Sequence, residues 1–556
     1  MKSHLLNRIL PRPLAATVAG GLLVAAGLSP LASAQESAEI VIPAERVRQA
    51  LIALDAGEPG ALSDVRVSEM ELKRALVYTL GTTELEARKV DIYIEEEIRR
   101  QVASGASKGS FEVTEDEVQA AVQEILDSIK EQYPDLSAET VLGYNNIQIG
   151  SLGRVTAQSK LFERVFLPEN PNDWPLTTVE AIRASANEEF ITKIKEGYEQ
   201  RKALEAEQGV DPSAAAGQQM FTMLMRNMVM GALNNSSIVQ TASDGLPSDV
   251  AMRVNGVDVS TEEIYARIAD NITEVDRERA EAWVSKTALL EAVLTAQGHY
   301  LTDEEFAAAY EEHGKPYEGS PLSLEVIVRN FKGFPSMEAY RTYYRLLESY
   351  KRSIGGTLTT ETLTGHLPRA NRLLGVGSVD LEVILCSAFD FGNKQWIEDG
   401  WTKAAEEART VAAKLVEGEG ANWDELLNEH SDFWDAPAPK NPTQQQQVPQ
   451  KKKNAGRFGT LNRNELLGYL EESDYTHFVD GHSVADAIFF DLEPGQVGGP
   501  WKGRYGYYFA RVKRRVPPTR TQTLGEENFR TMVTDDYVTV QFNGFARAVE
   551  EAARGL

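Results

Sequence analysis

Residues 492–500 read LEPGQVGGP, and residues 506–512 read GYYFARV. The first stretch holds a Pro-Gly pair typical of a turn, and the second is apolar and aromatic, as expected of a strand. We therefore predict strands at 487–492 and 505–513 on either side of this turn. These strands would form the end of a small domain near the C-terminus.

The residues before this stretch supply the rest of that domain. An apolar run at 379–386 predicts a buried strand that contains the single cysteine, Cys386, as a structural thiol. Residues 400–417 and 421–430 show helical spacing, and a last helix is predicted at 524–553. The order of strand, helices and strands predicts a compact α+β domain.

A polar insertion interrupts this domain at 437–454. It contains several prolines, four consecutive glutamines and the triplet Lys451-Lys452-Lys453. Such a composition cannot bury enough apolar surface to fold, and we predict a solvated loop.

The N-terminus has the pattern of a secretory signal peptide. Three basic residues precede an apolar run at 14–31, and Ala32-Ser33-Ala34 fits a small-x-small cleavage site. We predict a signal peptide at 1–34, a mature chain starting near Gln35, and a linker at 35–60. The alternative is an uncleaved membrane anchor, although the run is short for a span and Pro30 interrupts it. No cysteine follows the run to accept a lipid.

The composition excludes several classes of function. The formal net charge is −26, which argues against nucleic acid and disfavours anionic membrane surfaces. His477 and His482 lie near Asp474 and Asp480, but no two-histidine motif with a spacing of four accompanies them. We predict no metal site, no cofactor and no stable membrane span in the mature chain. The sequence indicates no oligomeric state.

The middle of the chain contains two pairs of similar segments. Residues 65–72 read VRVSEMEL and residues 257–264 read VDVSTEEI, while residues 111–118 read FEVTEDEV and residues 299–306 read HYLTDEEF. In each, a short apolar segment leads to a serine or threonine followed three residues later by glutamate, which is the spacing of a capping box.

The predicted caps are Ser68 with Glu71, Thr114 with Glu117, Ser260 with Glu263, and Thr302 with Glu305. Because the two copies space their caps similarly, we predict two homologous helical modules at 61–242 and 245–370. The alternative is chance similarity, since capping boxes are common.

The first copy carries a methionine-rich insertion. Residues 195–235 have helical spacing, and residues 218–230 read QQMFTMLMRNMVM. The methionines do not share one helix face. Core packing or contact with a partner is favoured over a surface that binds unfolded polypeptides, although methionine suits such surfaces.

The C-terminal domain, at 376–517, resembles the parvulin (PpiC-type) peptidyl-prolyl isomerases. The stretch 492–500 is similar to the family's L-x-P-G-x-[IV]-x-x-P turn, and 506–512 to the Gly-Tyr-His strand that follows it. Residues 454–459, NAGRFG, resemble the family's Gly-Gly-Asp-Leu-Gly turn, and residues 383–385 take the place of its His-Ile-Leu.

The chain departs from the family at each polar position of the isomerase site. Val383 and Tyr508 stand where the family has histidines, Phe433 where it has Cys or Asp, and Gly503 where it has Thr. We therefore assign no catalytic residue and expect the fold with weak or absent isomerase activity. The aligned pocket positions are Phe458 and Ala485.

Aromatic residues remain as candidates for binding a polypeptide. Those we expect to contact substrate are Phe458, Phe490, Trp501, Tyr507 and Tyr508. The alternative is that most of them are core residues of the domain. Trp501 stands beside Lys502 and Arg504 and is the strongest candidate for a surface contact.

The helical region resembles the N-terminal part of SurA-type periplasmic chaperones. The similarity lies in Val254-Asn255-Gly256 before the helix start at 260–263, and in residues 334–341, FPSMEAYR. It implies a mainly α-helical, multidomain chaperone of the periplasm or cell envelope, whose C-terminal helix at 520–556 packs back on the helical modules. The expected partners are unfolded or proline-containing polypeptides. An active isomerase and a non-catalytic structural partner of an envelope assembly remain alternatives.

Overall fold

The computed structural model describes residues 39–53, 62–134, 137–143, 149–208, 214–318, 320, 322–391, 395–418, 420–433 and 456–554. The predicted signal peptide and the predicted loop at 437–454 lie outside these residues. The α-helices are α1 (Ala44–Ala53), α2 (Glu69–Leu80), α3 (Thr82–Ala103), α4 (Glu115–Gln132), α5 (Ala138–Gly143), α6 (Leu152–Phe166), α7 (Leu176–Ser185), α8 (Glu188–Gln208), α9 (Ala214–Ser236), α10 (Thr261–Ile268), α11 (Glu274–Ala296), α12 (Asp303–Gly314), α13 (Leu324–Asn330), α14 (Met337–Ser353), α15 (Thr360–Leu374), α16 (Gly400–Glu417), α17 (Trp423–His430), α18 (Arg463–Leu470), α19 (Asp474–Asp480), α20 (Val484–Asp486) and α21 (Glu527–Arg554).

The strands are β1 (Ile40–Ile42), β2 (Val65–Val67), β3 (Val239–Gln240), β4 (Val250–Val254), β5 (Val257–Ser260), β6 (Ser378–Ser387), β7 (Phe389–Asp390), β8 (Gln395–Trp396), β9 (Arg457–Asn462), β10 (Val497–Gly503) and β11 (Gly506–Val516). The predicted class, helical modules followed by one α+β domain, is confirmed. No helix within the described residues is both long and apolar enough to cross a membrane.

The predicted caps form at the helix starts. The backbone amide of Ser68 donates to Glu71 at 2.7 Å, and the Glu71 amide donates back to the serine hydroxyl at 3.2 Å. Thr114 and Thr302 make the same reciprocal pair with their glutamates. Ser260 caps α10 in one direction only, because the carboxylate of Glu263 accepts from Arg267 instead.

Two compact units divide the chain differently from the predicted modules. One consists of residues 80–270, and the other combines the residues before 80 with those after 270. In the second unit, β2 packs against α11, the long helix that follows the similar segment at 257–264. In the first unit, β4 and α10 pack against α3, the long helix that follows the segment at 65–72. Each of the two similar segments therefore lies in the unit that holds the long helix following the other.

The predicted linker at 35–60 is wrong for the residues that the structure describes there. β1 pairs with β2 in antiparallel register, Ile40 opposite Val67. α1 follows, and it buries Val47, Ala50 and Leu51, which are 0–2% exposed, in the core shared with α21. These three residues have the i, i+3, i+4 spacing of a buried helix face, a signal that the sequence analysis missed.

The last helix packs back on the helical part of its unit. α21 contacts α1, α11, α14 and α15. Phe542, Ala546 and Val549 enter the main core, and Glu550 pairs with the buried amine of Lys286 at 2.8 Å. This is the arrangement that the resemblance implied for residues 520–556.

The C-terminal domain is built on an antiparallel sheet with the strand order β10-β11-β6-β9. α16 and α17 pack on one face of this sheet. The strand predicted at 487–492 is wrong: residues Ala487–Asp491 form a π-helical turn after α20. A short apolar run such as AIFF is compatible with either structure, and its length does not distinguish them.

Candidate functional site

The two faces of the sheet bury separate cores. Val383, Leu385, Tyr508 and Ala510 lie in a core with residues of α18 and α20. Ile384, Cys386 and Phe509 lie in the core beneath α16 and α17. Burial raises the pKa of the Cys386 thiol, as expected for a structural cysteine. The residues aligned in the sequence with the family's polar positions lie on the first face.

Val383 is held between two loops of this first face. Its amide donates to the carbonyl of Gly456 at 2.9 Å, and its own carbonyl accepts from the Ser431 hydroxyl at 3.2 Å. The next residue of that turn, Asp432, accepts from the Ser387 amide at 2.9 Å. These bonds fix the loop that carries Phe433 against β6. The Val383 side chain is fully buried.

Tyr508 lies in the middle of the same face, opposite Leu385. Its ring is 1% exposed, and its hydroxyl accepts from the Tyr505 amide at 3.4 Å. Burial raises the pKa of this phenol, so it stays neutral. The ring fills the space above Gly503, where a Cβ would lie 2.5 Å from Cε2 of Tyr508. A larger residue at position 503 would therefore collide with the tyrosine.

A line of rings connects Tyr508 with the surface. We call Tyr508, Phe433, Phe458 and Tyr469 the aromatic line. Successive ring centroids are 6.0, 5.0 and 4.9 Å apart. Tyr508 and Phe433 are buried, Phe458 is half-buried and Tyr469 is 53% exposed. The line therefore leads from the core of the domain to solvent.

A register shift in β9 orients Phe458 into this line. The pairing of β6 with β9 is irregular between Leu381 and Glu382, next to Gly459, whose φ is +71°. An extra residue in one strand changes the face to which its neighbours point. Phe458 thereby packs against the first core, as does Leu461 three residues later, while Arg457 reaches towards Glu382.

Glu382 is the main charged group of the opposite face. Its carboxylate accepts from Trp423 Nε1 at 3.1 Å, from Arg511 at 2.7 Å and from Lys513 at 2.8 Å. Burial raises the pKa of Glu382, but the hydrogen bonds from Lys513 and Arg511 outweigh it and hold the pKa below its usual value. These bonds connect α17 with β6 and β11.

The predicted site residues do not all converge. The four family positions, Val383, Phe433, Gly503 and Tyr508, lie on the first face, together with Ala485.

Of the predicted binding residues, Phe458, Phe490 and Trp501 pack there too. Tyr507 packs in the other core, because successive residues of a strand point to opposite faces. Phe490 is covered by Arg369, whose guanidinium lies 3.5 Å from the ring centroid. Tyr469 was missed, since nothing in its helical spacing marks it.

The histidines weighed for a metal site serve other contacts. His477 Nε2 lies 3.0 Å from the carboxylate of Glu472, which also accepts from the Ser483 hydroxyl at 2.9 Å. The ring nitrogens of His482 contact the carbonyls of Asp480 and Lys502. The two imidazoles thus bind different groups.

Residues 401–526 match the family model of the PPIC-type PPIase domain. β6 lies before these residues but pairs with β11, so the folded domain begins upstream of the match. A search of curated protein sequences gave no match.

Similar solved structures include the peptidylprolyl isomerase PrsA of Bacillus cereus, 15% identical, covering 55% of this chain and 90% of that one at a TM-score of 0.18. PrsA of Bacillus subtilis is 17% identical and covers 54% of this chain and 87% of that one, with a TM-score of 0.15.

Proposed function

From the premise that this chain carries a PPIC-type PPIase domain at 401–526, we propose that it is an exported chaperone of the periplasm or cell envelope. It binds unfolded polypeptides, and its isomerase activity is weak or absent. The outer end of the aromatic line, Phe458 and Tyr469, is the part of the domain that contacts them. Export is supported by the sequence of residues 1–34.

The observation that supports weak catalysis is the buried, apolar surrounding of the family's polar positions. Rotation about an Xaa-Pro bond crosses a barrier of about 18–20 kcal/mol set by amide resonance. An enzyme lowers it by binding the twisted amide better than the planar one, which requires polar groups at the rotating carbonyl. Val383 has no such group, and the Tyr508 hydroxyl lies in the core beside the Tyr505 amide.

The aromatic line supports polypeptide binding without catalysis. Phe458 and Tyr469 present a surface that apolar side chains of many sequences can cover, with little directional demand. The net charge of −26 keeps a protein soluble while it holds such partners. This surface thus favours binding of a polypeptide over catalysis of rotation about an Xaa-Pro bond.

Two measurements on the mature chain test this proposal. Exchange NMR on proline-containing peptides should show no acceleration at micromolar protein, while the same protein at several-fold excess should slow aggregation of an unfolded client without ATP. If isomerisation is clearly accelerated and the rate falls in Tyr508→Phe, the protein is an active isomerase that uses the Tyr508 hydroxyl. If aggregation is unaffected for every client tested, the chaperone function is refuted.

A further inference from the structure

α9 is an unusual helix for an acidic protein. Residues Ala214–Ser236 include a single charged side chain, Arg226, whereas the whole chain has 83 acidic and 57 basic residues. A helix with so few charges is normally buried on all sides. Parts of α9 nevertheless face solvent.

One face of α9 is packed in the core of its unit. Met225 is 1% and Val229 is 0% exposed, and Phe221 and Met228 pack in the same cluster against Trp174. Arg226 is partly buried too: it donates to the Ser159 hydroxyl, and its guanidinium lies 5.1 Å from the ring centroid of Phe162. This part of the methionine cluster confirms the expectation of core packing.

A second face carries three apolar side chains in solvent, which we call the methionine stripe. Met220, Met223 and Leu224 are 45%, 47% and 45% exposed. Their spacing places them beside one another on the helix surface. Because Arg226 is directed elsewhere, the helix contributes no charge to this stripe.

We infer that the methionine stripe is a second binding site for polypeptides, whose occupant is a short apolar segment of an unfolded chain. This inference rests on the proposed function. The stripe offers on the order of a few hundred Å² of apolar surface, well below the roughly 800 Å² per partner of a stable dimer. α9 itself offers no charge there that would attract an acidic or basic partner.

The side-chain chemistry fits an occupant of variable sequence. Methionine is unbranched and polarisable, so two adjacent methionines adapt to differently shaped apolar groups. Neighbouring helices hold the helix that carries the stripe: α9 packs against α7, and Gln218 accepts from Arg201 of α8 at 2.7 Å. The apolar segment of the unfolded chain therefore contacts flexible side chains on a helix that its neighbours fix in place.

Methyl NMR of the full mature chain, with ¹³C-labelled methionine methyl groups, tests this inference. The probe is reduced, carboxymethylated α-lactalbumin, which stays unfolded. We expect the Met220 and Met223 signals to shift or broaden with the probe while the signal of buried Met225 stays unchanged. The triple variant Met220→Gln, Met223→Gln, Leu224→Gln should bind the probe about threefold to tenfold more weakly. The control Met532→Gln alters a methionine of α21 that is 48% exposed, and it should bind the probe normally.

Each other outcome overturns the inference in a distinct way. If the probe binds but the Met220 and Met223 signals do not move, the stripe is not a client site and the proposed function stands on the aromatic line. If these signals change with protein concentration alone, the occupant is a second copy of the chain. If the probe and other unfolded clients do not bind at all, the proposed function fails as well.

Discussion

Replacing Tyr469 with alanine removes the outermost ring of the aromatic line. About half of this ring is exposed, 53%, so a bound polypeptide can cover roughly 100 Å² of it. At about 25 cal/mol per Å², full coverage stabilises the complex by about 2.5 kcal/mol at most. Ordering the partner offsets part of this gain, so we expect Tyr469→Ala to weaken binding by about threefold to tenfold.

Fluorescence anisotropy with a labelled, unfolded client and the full mature chain measures this change. Tyr469→Phe keeps the ring and its 4.9 Å contact with Phe458, and it should bind as the unaltered protein does. The exposed position makes a stability loss beyond about 1 kcal/mol unexpected, which urea unfolding checks. Equal affinities for the alanine variant and the unaltered protein would refute the role of the aromatic line in binding.

Three further predictions concern the stability of the fold. Gly503→Thr should destabilise the protein by about 1–3 kcal/mol because its Cβ meets the Tyr508 ring, and combining it with Tyr508→His should cost less than the sum of the two changes in urea unfolding. Glu382→Gln should lower the free energy of unfolding by about 2 kcal/mol, since the amide accepts fewer of the bonds that the buried carboxylate does; an unchanged midpoint would contradict this. Burial lowers the pKa of His313 from 6.5 to about 4, and the positive charges of Lys332 and Lys351 contribute to this shift. Its contribution to stability is therefore present above pH 6.5 and is lost as the pH falls towards 4, and the melting temperature should depend less on pH in this range in His313→Gln.

Local patterns predicted the helix starts at the four caps and several helices, although α1 was missed. α16 and α17 were expected at 400–417 and 421–430 and occupy Gly400–Glu417 and Trp423–His430. The apolar spacing that predicts a helix involves residues three or four apart, so a short segment is enough to show it. By contrast, β9 was not predicted, because RFGTLN has neither alternation nor β-branched residues in number.

The candidate site was predicted in its composition and only partly in its geometry. Period-two alternation already implies that Tyr507 and Tyr508 face opposite sides, and grouping them ignored it. The cover over Phe490 comes from Arg369, more than a hundred residues away, and no local pattern reports such a contact. The packing of β2 against α11 was equally hidden. The segments 65–72 and 257–264 share one strand–cap–helix pattern, and that pattern does not indicate which long helix each of them contacts.

One unit of this chain is thus inserted into the sequence of the other. The unit of residues 80–270 is contiguous, so all of its segments are present once residue 270 has been made. The other unit is completed much later, because β1, α1 and β2 pack against α11 and α21, which lie hundreds of residues further along the chain. β1 and α1 are thus made before the helices against which they pack, and they are among the last elements to be covered. A truncated product lacking α21 would leave Val47 and Leu51 uncovered, a mark by which quality-control proteases can recognise an unfinished chain.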